Sequence, residues 1–350
     1  MSHRRIGRQF ALAGGLVVMA HAGIAQTDDQ AVILQYHHVS TQTPPVTSLS
    51  ETSFRLHMDY LAENGFTILP LEDVVSRLQQ HEPLPDKAAV ITFDDGYTSV
   101  YDTVFPILQK RHWPFTIFVT SGLVGSNNQL YATWDQLREM GEYGATLANH
   151  TVSHPYLLDR PDMENESAWL AGVRQEIEDA ERQIAEETGQ SHKLLAYPYG
   201  EYNQEIQTMV RNLGYVGIGQ HSGPINATSD FTALPRFPFS GIYASMNTFP
   251  TKVQSLAFSV SKVYPNDPVT DKRSPGAILS FEESQSGLSQ LGCFNNNEAI
   301  RVETAGDGSF EISTHIENKS RRFRYNCTAP GGDGRYYWFS IPWINPAVQE

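Results

Sequence analysis

Short runs of apolar residues, mostly β-branched or aromatic, alternate with helical patterns over the first two thirds of the chain. The predicted strands are residues 32–36, 89–93, 115–119, 146–148, 194–197 and 215–219. The clearest helix is predicted over 167–187, because apolar residues recur there at three- and four-residue steps and Gly189 follows where a helix ends. Such alternation predicts a βα architecture with a mostly parallel sheet.

The pattern changes after about residue 250. Short apolar runs at 278–281, 300–303, 310–313, 323–325 and 336–341 are separated there by Gly, Asn and Asp. Strands at this spacing predict a small antiparallel β domain. We therefore expect an α/β domain over 31–255, a linker over 256–275 and a β-rich accessory domain over 276–350. The aromatic residues of the last domain suit an ordinary core, which we favour, or a sugar-binding surface.

The N-terminus has the pattern of a secretory signal peptide. Arg4, Arg5 and Arg8 precede an apolar run over 10–19, and small residues follow. We predict a signal peptide over 1–25, and hence an exported protein that is periplasmic or secreted. An uncleaved membrane anchor is the alternative, but the apolar run is short for a span of about 20 residues. No later segment has the length of a stable membrane span.

The charge and the cysteine content give further information about binding partners and about a disulfide. The 350 residues include 25 Lys and Arg against 39 Asp and Glu, for a net charge of −14, which argues against nucleic acid as a partner. The two cysteines, Cys293 and Cys327, form a candidate disulfide in an oxidising compartment. Two buried thiols are the alternative. The sequence leaves the oligomeric state unknown.

Three clusters of polar residues follow predicted strands, where open α/β sheets place catalytic loops. Asp94 and Asp95 are adjacent carboxylates that need a cation or a shared proton nearby. His150 and His154 are spaced so that both imidazoles can reach one metal ion. Each cluster alone is equally compatible with a capping turn or with surface histidines. Together they predict a two-histidine, one-carboxylate metal site with open positions, which suits catalysis.

The third cluster is a turn in which Pro198 and Gly200 flank Tyr199. Such a turn can direct the Tyr199 backbone amide into a cleft as an oxyanion donor. A plain loop between a strand and a helix is the alternative.

In their order along the chain, these motifs resemble the polysaccharide deacetylases of the NodB-homology type. The motifs are Thr-Phe-Asp-Asp-Gly at 92–96, the histidines at 150 and 154, and Tyr-Pro-Tyr-Gly at 197–200. The resemblance extends from residue 31 to about 239, and flanking segments are most similar to the branch acting on poly-N-acetylglucosamine. It implies a deacetylase-like catalytic domain whose fold is a distorted, incompletely closed (β/α) barrel.

The resemblance also implies residue roles. It implies that Asp94 is the general base and that the Tyr199 backbone amide is part of the oxyanion hole. The implied ligands of a divalent metal, most simply Zn²⁺, are Asp95, His150 and His154. The implied reaction is metal-assisted hydrolysis of N-acetyl groups on an N-acetylated polysaccharide containing N-acetylglucosamine.

The chain departs from the family pattern at two positions. Ala196 lies where many members have an arginine that orients the base, and Arg236 is a candidate substitute, with a surface salt bridge as the equal alternative. The late histidine that commonly acts as general acid is missing. His221 is the nearest titrating candidate for that role, and the alternative is that His221 is a structural histidine of a loop. His37 and His38 end the first strand, so one of them could border the cleft, although we favour a structural hydrogen bond.

Two other functions remain open from sequence. The chain could be a metal-dependent amide hydrolase of a small N-acyl substrate, since one fold supports several such chemistries. The two departures also allow a catalytically degenerate glycan-binding protein, although the metal and base residues are all present.

Overall fold

A computed structural model describes residue 1 and residues 29–349, except 127, 161–164, 282–284, 286 and 307. The predicted signal peptide, 1–25, therefore lies outside the described residues, apart from Met1. Within the described part of the chain, no helix is long and apolar enough to cross a membrane.

The described residues up to about 240 form eleven strands. They are β1 (Gln30–Tyr36), β2 (His38–Val39), β3 (Ser48–Leu49), β4 (Thr67–Ile68), β5 (Ala88–Asp95), β6 (Phe115–Val119), β7 (Ala145–Asn149), β8 (Leu194–Ala196), β9 (Val216–Ile218), β10 (Ile225–Asn226) and β11 (Phe237–Pro238).

Seven α-helices connect or follow these strands in the described residues. They are α1 (Glu51–Glu63), α2 (Leu71–Gln79), α3 (Phe105–Arg111), α4 (Trp134–Glu142), α5 (Glu166–Thr188), α6 (Gln204–Asn212) and α7 (Phe249–Val253). A π-helical turn over Val100–Val104 leads into α3.

The main sheet has the order β10-β1-β5-β6-β7-β8-β9, with β11 also paired to β1 and β4 to β5. Its pairs are parallel apart from the antiparallel β1–β10 pair. The sheet curls into an open half-barrel, so the predicted incompletely closed (β/α) barrel is confirmed.

Side chains of the central strands are buried on both faces of the sheet. Every residue of β5 is buried, and alternate residues enter different clusters: Ile91 and Phe93 pack on one side, Val90 on the other. This two-sided burial is expected where helices cover both faces of a parallel sheet.

Helix α5 forms as its sequence predicts. The Asn165 side chain accepts a hydrogen bond from the backbone N–H of Ala168 at 2.9 Å and caps the N-terminus. Gly189 ends the helix in the left-handed conformation, with φ 73°. The apolar stripe is buried, and it comprises Trp169, Val173, Ile177, Ala180 and Ile184.

The C-terminal residues form a second sheet of eight strands. They are β12 (Leu256–Ala257), β13 (Val260–Tyr264), β14 (Ala277–Phe281), β15 (Gly292–Asn295), β16 (Glu298–Gly306), β17 (Ser309–Ser313), β18 (Arg322–Gly332) and β19 (Arg335–Ile344). Neighbours are antiparallel except β12 and β19. The predicted antiparallel β unit is thus confirmed, while β12 and β13 occupy part of the segment predicted as a linker.

Cys293 and Cys327 form a disulfide that joins β15 to β18, where the two residues are direct cross-strand partners. Both are buried in the core of the C-terminal sheet, with Leu279, Tyr325 and Trp343. The predicted disulfide is therefore present. The C-terminal sheet also contacts the half-barrel, where the Trp338 and Phe237 rings lie 5.4 Å apart.

Candidate active site

The predicted site residues lie at the carboxyl edge of the half-barrel. Asp94 and Asp95 are the last residues of β5, and His150 directly follows β7. The intervening strand β6 aligns these ends, because Val119 pairs with Asp95 on one side and with Asn149 on the other. Adjacent parallel strands thereby bring together residues 55 positions apart in the chain.

Asp95, His150 and His154 converge on one point. Asp95 Oδ1 lies 3.3 Å from His150 Nε2 and 3.3 Å from His154 Nε2, and the candidate ligand atoms all lie within 4.8 Å of one another. Ligands about 2.0–2.1 Å from a tetrahedral zinc ion are separated by about 3.3 Å. The spacing of these atoms therefore fits a shared metal ion.

Hydrogen bonding prepares the same atoms for a cation. His150 Nδ1 lies 2.8 Å from the Ala196 carbonyl oxygen and donates to it, which leaves the lone pair on Nε2. His150 Nε2 and Asp95 Oδ1 are both buried without a hydrogen-bond partner among the described residues. Buried polar atoms are normally satisfied, so the orphaned pair fits a metal site.

Helix α5 supports the loop that carries the histidines. The Glu176 carboxylate accepts hydrogen bonds from the backbone N–H groups of Val152 and Ser153, at 3.0 and 2.9 Å. The loop includes two non-glycine residues with positive φ, Thr151 at 66° and His154 at 58°. Such strained backbone persists only where surrounding contacts determine it, and Glu176 supplies some of those contacts.

Asp94 lies beside the triad and is held by a buried arginine. Arg236 Nη1 donates to Asp94 Oδ1 at 2.6 Å and Nη2 to Oδ2 at 2.8 Å, and Gln35 Nε2 donates to Oδ2 at 2.7 Å. Both charged side chains are fully buried. Burial alone would raise the pKa of Asp94, but the charges of Arg236, His150 and His37 and the hydrogen bonds from Arg236 together outweigh it, and the pKa falls to about 2. Asp94 is therefore ionised.

Of the two alternatives for Arg236, a surface salt bridge is not what the structure has. Arg236 is buried and forms two hydrogen bonds with the Asp94 carboxylate. Ala196, where family members often have the orienting arginine, instead uses its carbonyl to hold His150.

The Tyr199 turn reaches the same edge. Tyr199 has φ 57° within the 3-10 turn Pro198–Gly200, and its ring lies 4.5 Å from the ring of His154. It also stacks on Tyr156 at 4.0 Å. The turn that carries the predicted oxyanion donor is thus next to a candidate metal ligand.

The C-terminal sheet anchors this turn through a buried ion cluster. Glu201, which follows the turn, is fully buried and accepts from Arg321 Nε at 2.6 Å and Nη2 at 2.8 Å. Arg322 Nη1 donates to the same carboxylate at 2.7 Å, and Arg321 also pairs with Asp159 at 2.6 Å. Arg321 and Arg322, at the start of β18, therefore hold Glu201 just after Tyr199, and Arg321 also holds Asp159 beyond His154.

His221 is placed away from the aspartates. Among the described residues, no hydrogen bond or ion pair joins it to Asp94 or Asp95. Its ring centre lies 6.5 Å from that of Tyr202. Burial, with a smaller contribution from the Arg324 charge, lowers its pKa to about 4. A largely neutral imidazole is a poor general acid.

His37 is the site residue that sequence reasoning did not favour. Its Nε2 lies 3.8 Å from Asp94 Oδ2, and its side chain is 17% exposed. The only signal in the sequence is its position just after β1. His38 stacks on Tyr97 with ring centres 3.5 Å apart, and burial lowers its pKa to about 4. Its Nδ1 has no hydrogen-bond partner among the described residues, so the expected structural hydrogen bond is not seen at that atom.

The open half-barrel thus carries two aspartates and two histidines at its carboxyl edge, and three of these side chains are spaced to hold one metal ion. Residues 81–218 match the family model described as polysaccharide deacetylase, and the chain therefore carries a polysaccharide deacetylase domain. The resemblance to this family, predicted from the motifs, is confirmed.

Individual proteins agree with this assignment. A Bacillus subtilis (strain 168) protein, YxkH, provisionally named a polysaccharide deacetylase, is 28% identical over 58% of this chain and 69% of its own length. The poly-β-1,6-N-acetyl-D-glucosamine N-deacetylase of Escherichia coli (strain K12) is 26% identical over 59% of this chain. The match spans only 36% of the E. coli enzyme.

A solved structure extends the similarity to the fold. The structure of IcaB from Ammonifex degensii superposes with a TM-score of 0.55 and 25% identity, covering 64% of this chain and 96% of IcaB.

Proposed function

We propose that this protein is a metal-dependent N-deacetylase of an N-acetylglucosamine-containing polysaccharide outside the cytoplasm. The observation that carries the proposal is the convergence of Asp95, His150 and His154, with buried unpaired atoms, beside the ionised Asp94. The names of the relatives support the substrate class, and the predicted signal peptide supports export.

The ligands of the divalent ion are Asp95, His150 and His154, and Zn²⁺ suits this nitrogen-rich set. When bound, the ion would acidify water and polarise the amide carbonyl of the acetyl group. His150 Nδ1 donates to the Ala196 carbonyl, so Nε2 is the ring nitrogen that faces Asp95 and would bind the ion.

Asp94 is the proposed general base. Its three hydrogen bonds from Arg236 and Gln35 fix the carboxylate plane and keep it charged. It receives the proton of the attacking water at the moment that the water adds to the acetyl carbonyl. Because both of its oxygens are already held, Asp94 is positioned before substrate arrives, which lowers the entropic cost of reaction.

The tetrahedral oxyanion then needs a donor, and the Tyr199 backbone amide is the proposed one. The departing sugar amine also needs a proton. His37 fits this role better than His221, because it is partly exposed and adjacent to Asp94. Arg236 is a positioning residue that acts through Asp94.

Acetate release from β-1,6-linked N-acetylglucosamine oligomers tests the proposal. The chain without residues 1–25 should release acetate, faster from longer oligomers than from the monosaccharide, and should lose activity after chelation and regain it with Zn²⁺. No acetate from any N-acetylated glycan with metal supplied, or release that chelation leaves unchanged, would contradict it.

A further inference from the structure

The Tyr199 ring contacts three other side chains, although the proposed reaction uses only the Tyr199 backbone amide. Tyr156 lies parallel to it, with ring centres 4.0 Å apart and ring planes inclined by 6°. The His154 ring meets Tyr199 edge-on at 4.5 Å. The guanidinium carbon of Arg322 lies 5.2 Å from the centre of the Tyr199 ring. The Tyr199 side chain is therefore fixed by its neighbours.

The backbone of Tyr199 has an unfavourable conformation that these contacts support. Its φ of 57° lies in the left-handed region, which a residue with a β-carbon rarely adopts. Two backbone hydrogen bonds close the turn, from Gly200 N–H to the Tyr197 carbonyl at 2.8 Å and from Glu201 N–H to the Pro198 carbonyl at 3.1 Å. Neither bond uses the N–H of Tyr199. Since such a conformation persists only where surrounding contacts determine it, the packing of the Tyr199 ring helps to set the direction of its N–H.

Tyr156 is itself held by groups outside the Tyr199 turn. The Asp159 N–H donates to the Tyr156 carbonyl at 3.0 Å. Trp169 Nε1, from α5, donates to the carbonyl of the next residue, Leu157, at 2.9 Å. The guanidinium carbon of Arg321 lies 4.6 Å from the centre of the Tyr156 ring, and Arg321 also pairs with Asp159. Both the backbone and the ring of Tyr156 are thus fixed, and the ring gives Tyr199 a flat surface to pack on.

We propose that Tyr156 is a positioning residue, which holds the Tyr199 ring so that the Tyr199 backbone amide points at the oxyanion of the reaction. The inference rests on the proposed function and adds a residue that acts through the oxyanion donor. A donor of this kind lowers the barrier only if it is oriented before the charge develops. Stacking on a fixed ring restricts the Tyr199 side chain, and a turn of three residues gives its backbone little freedom to move independently.

Three substitutions of Tyr156 test the proposal, each measured below its melting transition. Tyr156→Ala should lower kcat for acetate release from β-1,6-linked N-acetylglucosamine oligomers by about 10- to 100-fold, somewhat less than the loss of an oxyanion donor, and change KM less than about twofold. Tyr156→Phe keeps the ring and should restore most of the activity. Tyr156→Leu fills the space without a flat face and should stay low. Wild-type kcat in Tyr156→Leu, or an equal loss in Tyr156→Phe, would overturn the proposal.

A methylphosphonamidate analogue of the tetrahedral intermediate separates positioning from packing. Its affinity should fall in Tyr156→Ala by the same factor as kcat/KM, because both depend on the oriented amide, while the affinity for the N-acetylated oligomer changes less than about twofold. Tyr336→Ala removes the same side chain from a position of β19 that is 46% exposed, and it should change neither affinity. Undiminished affinity of Tyr156→Ala for the analogue would overturn the proposal.

Bound Zn²⁺ separates this role from an effect on the metal ligands, since Tyr199 also contacts His154. Tyr156→Ala should bind as much Zn²⁺ as the wild-type protein. Loss of metal would show that Tyr156 acts through His154 and would overturn the proposal. Acetate release by the wild-type protein reports the proposed function separately. If Tyr156→Ala releases acetate at the wild-type rate, only the role of Tyr156 fails, whereas no release by the wild-type protein from any N-acetylated glycan would reject both.

Discussion

Arg236 and Asp94 lie 142 residues apart in the chain and form the most tightly held pair of the site. Thr92 Oγ1 and the Gly219 carbonyl also accept from the guanidinium, at 3.1 and 2.9 Å. Each of the three guanidinium nitrogens of Arg236 therefore donates a hydrogen bond within the protein. Removing one partner of a buried ion pair leaves the other charge unpaired, at a cost of about 3–5 kcal/mol.

Arg236→Gln should therefore lower kcat by about 100-fold or more, the range associated with a misplaced general base, while bound metal stays near the wild-type amount. Arg236→Lys keeps the charge but loses the two-point geometry, and it should give intermediate activity. The measurements are kcat for acetate release and metal content. Loss of metal together with activity would show that Arg236 acts through the metal ligands instead of through Asp94.

His37→Gln and His221→Gln distinguish the two candidates for the general acid. His37 is 3.8 Å from Asp94, so its loss should lower kcat by about 100-fold with little change in KM. His221→Gln should change kcat less than about threefold, because burial lowers the pKa of the imidazole and, among the described residues, no hydrogen bond or ion pair joins it to the aspartates. The reverse order of effects would return the role to His221.

Residues in local motifs were predictable from the sequence. Asp94, Asp95, His150 and His154 follow predicted strands, and parallel strand ends meet at one edge. The contacts of Arg236 and His37 were not predictable, because they depend on β11 and β5 both pairing with β1. No local pattern encodes which distant strands become neighbours.

At the scale of elements, the segments that carry the site are joined by the C-terminal sheet. Arg321 links Glu201, after the Tyr199 turn, to Asp159, beyond the histidine loop. The sequence predicted a strand over 323–325, which is only the first part of the observed strand β18, Arg322–Gly332. It could not predict the ion cluster, because Glu201 and Arg321 lie 120 residues apart.

Arg321→Gln should destabilise the protein by about 3–5 kcal/mol, since Glu201 is left buried with a weakened partner set. Below the melting transition it should also lower kcat, because the Tyr199 turn loses its anchor. Thermal unfolding and acetate release at low temperature are the measurements. Arg273→Gln, at an exposed pair with Glu317, is the matched control and should leave both unchanged. Unaltered stability in Arg321→Gln would contradict the role of the cluster.

The disulfide gives a second prediction for the C-terminal sheet. Cys293 and Cys327 close a loop of sequence separation 34, and the chain-entropy relation gives about 3–4 kcal/mol for such a loop. The double substitution Cys293→Ala and Cys327→Ala should lower the free energy of unfolding by about that amount in denaturant titrations. An unchanged midpoint would show that packing alone holds β15 against β18.

At the scale of the whole molecule, the alternation and spacing of apolar residues predict the succession of strands along the chain. They also predict the change from an α/β part to a β-rich C-terminal part. The predicted helix over 167–187 corresponds to Glu166–Thr188, because its stripe and both caps are local. The segment 256–275 has Pro, Asp and Lys in a linker-like mixture, yet it includes strands that pair with β14 and β19. Its composition does not reveal those partners, and the domain boundaries stay predictions.

The central claim is that one aspartate holds a metal ion while its neighbour acts as base. Asp95→Asn and Asp94→Asn, compared for bound Zn²⁺ and acetate release in the same preparation, test it most directly. The account predicts that Asp95→Asn loses both metal and activity, and that Asp94→Asn retains metal and loses activity. Full activity in either variant, or equal metal loss in both, would contradict the division of roles.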